Sequence, residues 1–149
     1  MKKNALLEII TFLLILLFVY TAVSKLIDFN NFKFVLNQTN ELRPFANILA
    51  ILLPLIEILT AVLLLMPSYR KIGLYFSFGI MAVFTLYVVY LIFFASFVPC
   101  ACGGVIKGFT WKQHLAFNAF FTLLSMIGIW LNKKHTSGEE QSRQEIKFV

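Results

Sequence analysis

The sequence predicts an all-α protein that crosses a membrane four times. Of its 149 residues, 60% are hydrophobic and only 13% are charged, whereas soluble domains are about 45–50% apolar and about 25% charged. The apolar residues form four runs, each long enough to cross ~30 Å of hydrocarbon as an α-helix. A chain of this length has room for one domain. The expected fold is therefore a four-transmembrane-helix bundle with short loops.

The four apolar runs cover residues 5–23, 45–66, 72–98 and 115–131, and the charged residues within them are Glu8 and Glu57. The first run follows Lys2 and Lys3, as the apolar part of a signal peptide would, and residues 22–24 could serve as a cleavage site. It is longer than a signal peptide needs and contains Glu8. We therefore expect it to remain in the protein as the first span.

Two segments lie outside the spans. Residues 28–43 mix Phe, Val and Leu with Asn and Lys, which is typical either of a short amphipathic helix in the membrane interface or of an unstructured loop. Residues 133–149 are mainly Lys, Glu, Gln, Ser and His, with few side chains to bury. The sequence thus predicts a membrane domain over residues 1–132 and a disordered tail over residues 133–149.

The basic residues predict the orientation of the bundle. The net charge of +6 does not indicate a nucleic-acid partner, because the basic residues occupy the span ends and the tail and form no single patch. Eight of the 13 fall on one side: Lys2, Lys3, Arg70, Lys71, Lys133, Lys134, Arg143 and Lys147. Five fall on the other: Lys25, Lys33, Arg43, Lys107 and Lys112. This split predicts a multi-pass protein of the bacterial inner membrane with both termini in the cytoplasm and the loop between spans three and four in the periplasm.

Both cysteines lie in that loop, as Cys100 and Cys102, followed by two glycines. Side chains at positions i and i+2 of an extended backbone point the same way, and a bridge between them is formable but strained. Strain makes a disulfide labile, which favours thiol exchange over a structural role. Two alternatives remain open. The two thiolates and His114 could hold a soft ion such as Cu(I), or the cysteines could be inert.

Polar side chains form stripes on three of the predicted helices. Glu8, Thr21 and Lys25 share a face in span one, and Asn47 and Glu57 share the small-residue face of span two. The polar face of span four carries His114, Asn118, Thr122 and Ser125. A carboxylate near mid-membrane is costly, so we expect Glu57 either to handle a proton or to fix packing. Lys25 is a candidate partner for Glu57, although its position predicts a site closer to the outer surface.

Several of these motifs resemble one family of membrane proteins. Leu-Pro-Leu-Ile-Glu at 53–57 and Pro-Cys-Ala-Cys-Gly-Gly at 99–104, followed by Trp111, His114 and Phe117-Asn118, resemble the MauE/DoxX-like redox-associated membrane proteins. The resemblance implies a role beside thioredoxin-like proteins in disulfide handling outside the membrane, as in the maturation of methylamine dehydrogenase. By family analogy it also implies that quinone could serve as a cofactor. Membrane thiol oxidases carry a second cysteine pair, which this chain lacks.

These observations lead to one functional hypothesis and two alternatives. We expect Cys100 and Cys102 to exchange disulfides with a thioredoxin-like partner and His114 to accept the thiol proton, and we expect Glu57, Asn118 and Lys25 to serve as proton or packing groups. The sequence assigns no metal site and identifies no cofactor. The alternatives are a non-catalytic assembly factor and a protein that handles a metal through its thiolates.

Overall fold

The structure, a computed structural model, describes residues 2–38, 40–94 and 111–147. Within these ranges the chain is helical and forms no strand, so the predicted all-α fold is confirmed. The α-helices are α1 (Lys2–Ile27), α2 (Phe29–Gln38), α3 (Ala46–Leu65), α4 (Arg70–Phe93) and α5 (Trp111–Lys147). Short 3₁₀ helices, Arg43–Phe45 and Pro67–Tyr69, precede α3 and α4.

The helical stretches long and apolar enough to cross a membrane number four among the described residues. They are Ala5–Ile27, Arg43–Leu65, Pro67–Phe93 and Lys112–Lys134, and each contains or overlaps one of the predicted runs. Large apolar side chains cover their outer faces, for example Phe12, Leu55, Leu86 and Phe120, all more than half exposed. Lipid is the environment that accommodates such surfaces on every helix. The chain is therefore a multi-pass membrane protein.

The four long helices form a closed bundle. Helix α1 packs against α3 and α5, and α4 packs against the same two helices. The main core cluster lies between them and includes Leu14 and Phe18 of α1, Ala61 and Leu64 of α3, and Leu74 of α4. Because α1 and α4 run opposite to α3 and α5, the C-terminal ends of α1 and α4 lie at the same end of the bundle as the start of α5. We call this the loop end, since residues 95–110 connect α4 to α5 there.

The segment between the first two spans forms α2, which confirms the helical alternative of the two that its composition allowed. Phe32 and Leu36 of α2 pack on Ala46 and Ala50 of α3 in a second core cluster. The two alanines leave room for the larger side chains of α2 on this face of α3. Helix α2 consequently extends the packed interior beyond the end of α1.

The turn between α3 and α4 brings two backbones into close contact. A Cβ atom added to Gly73 would lie 2.9 Å from the backbone nitrogen of Leu64 and 3.0 Å from the carbonyl carbon of Leu63. Real Cβ atoms do not approach backbone atoms so closely. Glycine is therefore required where α4 passes the last turns of α3.

Helix α5 continues beyond the fourth span to Lys147, through the segment for which composition predicts a disordered tail. Glu, Gln, Lys and Arg are good helix formers, so local propensity allows a helix even where few side chains can be buried. The division of the chain at residue 132 remains a prediction.

Candidate functional site

The cysteine pair that the sequence singles out, Cys100 and Cys102, lies outside the described residues. The described chain fixes the two points from which the connecting loop departs, namely the end of α4 at Phe94 and the start of α5 at Trp111. The loop therefore joins neighbouring helices that pack along their length. The other candidate residues are described, and they cluster near the same end of the bundle.

A buried ion pair occupies the interior near the loop end. The ammonium group of Lys25 donates a hydrogen bond to Glu57 Oε1, and the two residues are only 8% and 2% exposed. Lys25 is thus the partner of Glu57 for which the sequence made it a candidate, although its position in the run predicts a site closer to the surface. Helix α2 packs on the first turns of α3, and its Phe32 ring lies over the Lys25 ammonium group, which explains why Lys25 is buried.

Aromatic and hydroxyl groups surround this pair. The Lys25 nitrogen lies 5.8 Å from the ring centroid of Phe32 in α2 and 5.5 Å from that of Phe84 in α4, distances at which a cation is attracted to the ring face. The hydroxyl of Thr21 lies close to the Glu57 carboxyl group. The pair and the groups around it thus come from four helices, α1 to α4.

The two carboxyl oxygens of Glu57 have unequal environments. Oε1 accepts the bond from Lys25, whereas Oε2 is buried and has no hydrogen-bond partner among the described residues. A buried polar atom left without a partner costs about 1–3 kcal/mol. Such an atom within a membrane span requires a physical explanation.

His114 connects this pair to the cysteine loop along the chain. It lies in the first turn of α5, is half-buried, and is close enough to Lys25 for their charges to interact. One turn further along α5, Asn118 is 5% exposed. The sequence places Cys102 twelve positions before His114. The structure thus brings Lys25, Glu57 and His114 into one electrostatic group.

Further from the loop end than this group, two pairs of hydroxyl groups join α4 to α5. Thr85 and Thr122 are 3.1 Å apart between their Oγ1 atoms, and Ser77 and Ser125 are 3.0 Å apart between their Oγ atoms. Ser125 also donates to the carbonyl of Phe121, which leaves Ser77 as the donor in the second pair. The stripe of α5 that the sequence identified therefore faces α4, with hydroxyl partners there that sequence reasoning had missed.

Not every predicted polar position lies inside. Glu8 and Asn47 are exposed, whereas the neighbouring Leu7 and Ala46 are buried.

The rings of Phe32 and Phe84 were not identified as part of the site, because aromatic residues are frequent throughout this sequence. The position of Thr21 in the site could be predicted from the sequence, since Thr21 lies one helical turn before Lys25 on the same face.

No group of three or more His, Cys, Asp or Glu side chains in the described part of the chain is arranged to hold a metal ion. The two cysteines lie in the loop at 95–110, outside the described residues. The thiolate metal site therefore stays a prediction.

Comparison with known proteins gives one match. Searches of the curated proteins and of the solved structures found nothing that matches the chain. The model of the family described as methylamine utilisation protein MauE matches residues 3–131. The match covers all four spans and the loop that carries the cysteines. The chain therefore belongs to the MauE family.

Proposed function

We propose that this protein supports thiol–disulfide exchange on the outer side of the bacterial inner membrane through Cys100 and Cys102. The observation that carries the proposal is that the two cysteines, separated by one residue, lie in the segment that connects two packed membrane helices. The membership of the MauE family supports it. The eight-to-five split of basic residues supports a periplasmic loop and cytoplasmic termini.

The exchange needs only a partner that carries a disulfide or a dithiol. In one direction, the thiolate of one cysteine attacks a sulfur of the partner disulfide, which forms a mixed disulfide and releases a partner thiolate that takes up a proton. The second cysteine, as a thiolate, then attacks the mixed disulfide, so that the Cys100–Cys102 bond forms and the partner leaves as a dithiol with two electrons gained. In the other direction, a partner dithiol reduces the Cys100–Cys102 bond by the same steps in reverse and leaves as a disulfide. A thioredoxin-like protein of the periplasm is the partner that this chemistry fits.

His114 is the side chain that we assign to the proton of the attacking thiol. Its position in the first turn of α5 puts it at the end of the bundle from which the cysteine loop departs. A neutral imidazole can accept a proton, and an imidazolium favours a neighbouring thiolate. Asn118 lies one turn further along α5 and is buried. We assign it a packing role in the interior of the bundle.

Trapping of the mixed disulfide tests this proposal. In Cys100→Ser and Cys102→Ser variants expressed in the native membrane, the variant that keeps the attacking cysteine should accumulate a covalent adduct with a thioredoxin-like protein. The adduct should disappear on reduction and should be absent from the double variant. If no variant forms an adduct but all three retain the same bound protein, the chain acts as a non-catalytic assembly factor and the proposal is wrong.

A further inference from the structure

The unequal environment of the two Glu57 oxygens indicates more than a structural ion pair. Oε1 is satisfied by Lys25, whereas Oε2 is buried and unpartnered among the described residues. In an apolar interior the ionised form of such a group is strongly disfavoured unless both oxygens are satisfied. A proton on Oε2 would remove the negative charge and with it most of this penalty.

The polar neighbour on α1 does not satisfy this oxygen. The Thr21 hydroxyl donates to the carbonyl oxygen of Phe18 at 3.1 Å, and the described residues leave Oε2 without a donor that would stabilise a negative charge. A carboxylic acid in the same position has no charge to desolvate. The lack of a donor at Oε2 therefore favours the protonated form of Glu57.

The surroundings of Lys25 allow this change without loss of the ammonium charge. The rings of Phe32 and Phe84 lie within 6 Å of the nitrogen, at 5.8 and 5.5 Å, and stabilise a cation when its carboxylate partner is neutralised. Lys25 of α1 interacts with the Glu57 carboxyl group, and His114 of α5 is within electrostatic range of Lys25. Helices α2 and α4 contribute the two phenylalanine rings.

We propose that Glu57 is a reversible proton-binding site, in which the proton resides on Oε2 while Lys25 remains bound to Oε1. Proton uptake changes the pair from neutral to singly positive. This site does not depend on the thiol chemistry. If the exchange proposed above occurs, however, the added positive charge near the loop end would favour the thiolate form of the cysteines.

Infrared spectroscopy of the full chain in lipid vesicles tests the proposal directly. A protonated carboxyl group has a C=O stretching band that a carboxylate lacks. We expect such a band to appear on acidification and disappear on return to alkaline pH, to be lost in Glu57→Gln, and to persist in Glu8→Gln. Glu8 is a matched control because it is an exposed glutamate in a neighbouring span.

A second variant covers the case in which Glu57→Gln fails to fold. Glu57→Asp keeps a carboxyl group at this position and should retain a band that titrates, at a shifted frequency. The absence of any Glu57 band, or a band that never titrates, would overturn the proposal. The double variant Cys100→Ser/Cys102→Ser should keep the band, which separates this test from that of the exchange reaction.

Discussion

Lys25 of α1 and Glu57 of α3, 32 positions apart in the chain, form an ion pair that is buried inside the helix bundle. The pair joins the first two spans near the end from which the cysteine loop departs. Removal of one member of a buried pair leaves an uncompensated charge, whereas removal of both leaves none. The pair therefore leads to predictions about the free energy of unfolding and about its dependence on pH.

The first prediction is strong coupling between the two positions. Glu57→Leu should lower the free energy of unfolding by about 3–5 kcal/mol, because it leaves the Lys25 ammonium buried with no carboxyl oxygen to bind. The double variant Lys25→Met/Glu57→Leu should lose less than the sum of the two single variants. Reversible unfolding in detergent micelles measures these values, with Glu8→Gln as a control that changes stability by less than about 0.5 kcal/mol. Additive losses would show that the pair is not coupled.

The second prediction concerns pH. In Lys25→Met the carboxyl group of Glu57 loses its cation, and a proton can replace it at Oε2. Since the protonated acid is neutral, the stability lost in Lys25→Met relative to the natural protein should shrink as the pH falls. Unfolding curves of both proteins at acidic and neutral pH measure this difference. An equal loss at every pH would mean that Glu57 takes up no proton in the variant.

How far the sequence predicts this arrangement depends on the residue. The four spans follow directly from apolar runs, since length and hydropathy determine which segments cross a bilayer. The sequence identifies Lys25 as a candidate partner of Glu57 but places it nearer the surface, because the position of a residue within its run measures depth only if the run ends at the membrane surface. Phe32 of α2 lies over the Lys25 ammonium group, so that assumption does not hold here.

Side-chain partners between helices were harder to predict than the helices themselves. The inward position of Asn118 and Ser125 follows from their spacing on α5, but the partners Thr85 and Ser77 do not, because periodicity gives no information on how neighbouring helices are rotated. Asn47 shows the same difficulty. It is exposed while Ala46 is buried, a difference of one residue, or about 100° around the helix.

The third prediction uses two glycines of α4 as a matched pair. Gly73→Ala would force a Cβ atom against the backbone of α3, with contacts of 2.9 and 3.0 Å, and should destabilise the bundle by about 1–3 kcal/mol. At Gly79 an added Cβ meets nothing within 4 Å. Gly79→Ala should therefore leave stability unchanged or raise it by up to about 1 kcal/mol. Thermal unfolding of both variants provides the comparison, and equal effects would contradict the close packing of α3 and α4.

The fourth prediction concerns the contact between Ser77 and Ser125. Both residues are fully buried, and their hydroxyl groups join α4 to α5. A double-mutant cycle with alanine should give a coupling of about 0.6 kcal/mol, typical of hydrogen bonds between membrane helices. Ser137→Ala serves as a control, because that exposed hydroxyl bonds only within its own helix, to the carbonyl of Lys133. Coupling no larger than that between Ser77 and Ser137 would contradict the contact.

The central claim, a labile disulfide between Cys100 and Cys102 on the outer side of the membrane, is tested most directly by alkylation in intact cells. A mass-tagged maleimide that cannot cross the membrane is added before and after a mild reductant, and the shift in mass reports how many cysteines react. We predict no labelling before reduction and two labels afterwards, with one label at most in either single serine variant. Labelling of both cysteines without reductant, or no labelling under any condition, would contradict the claim.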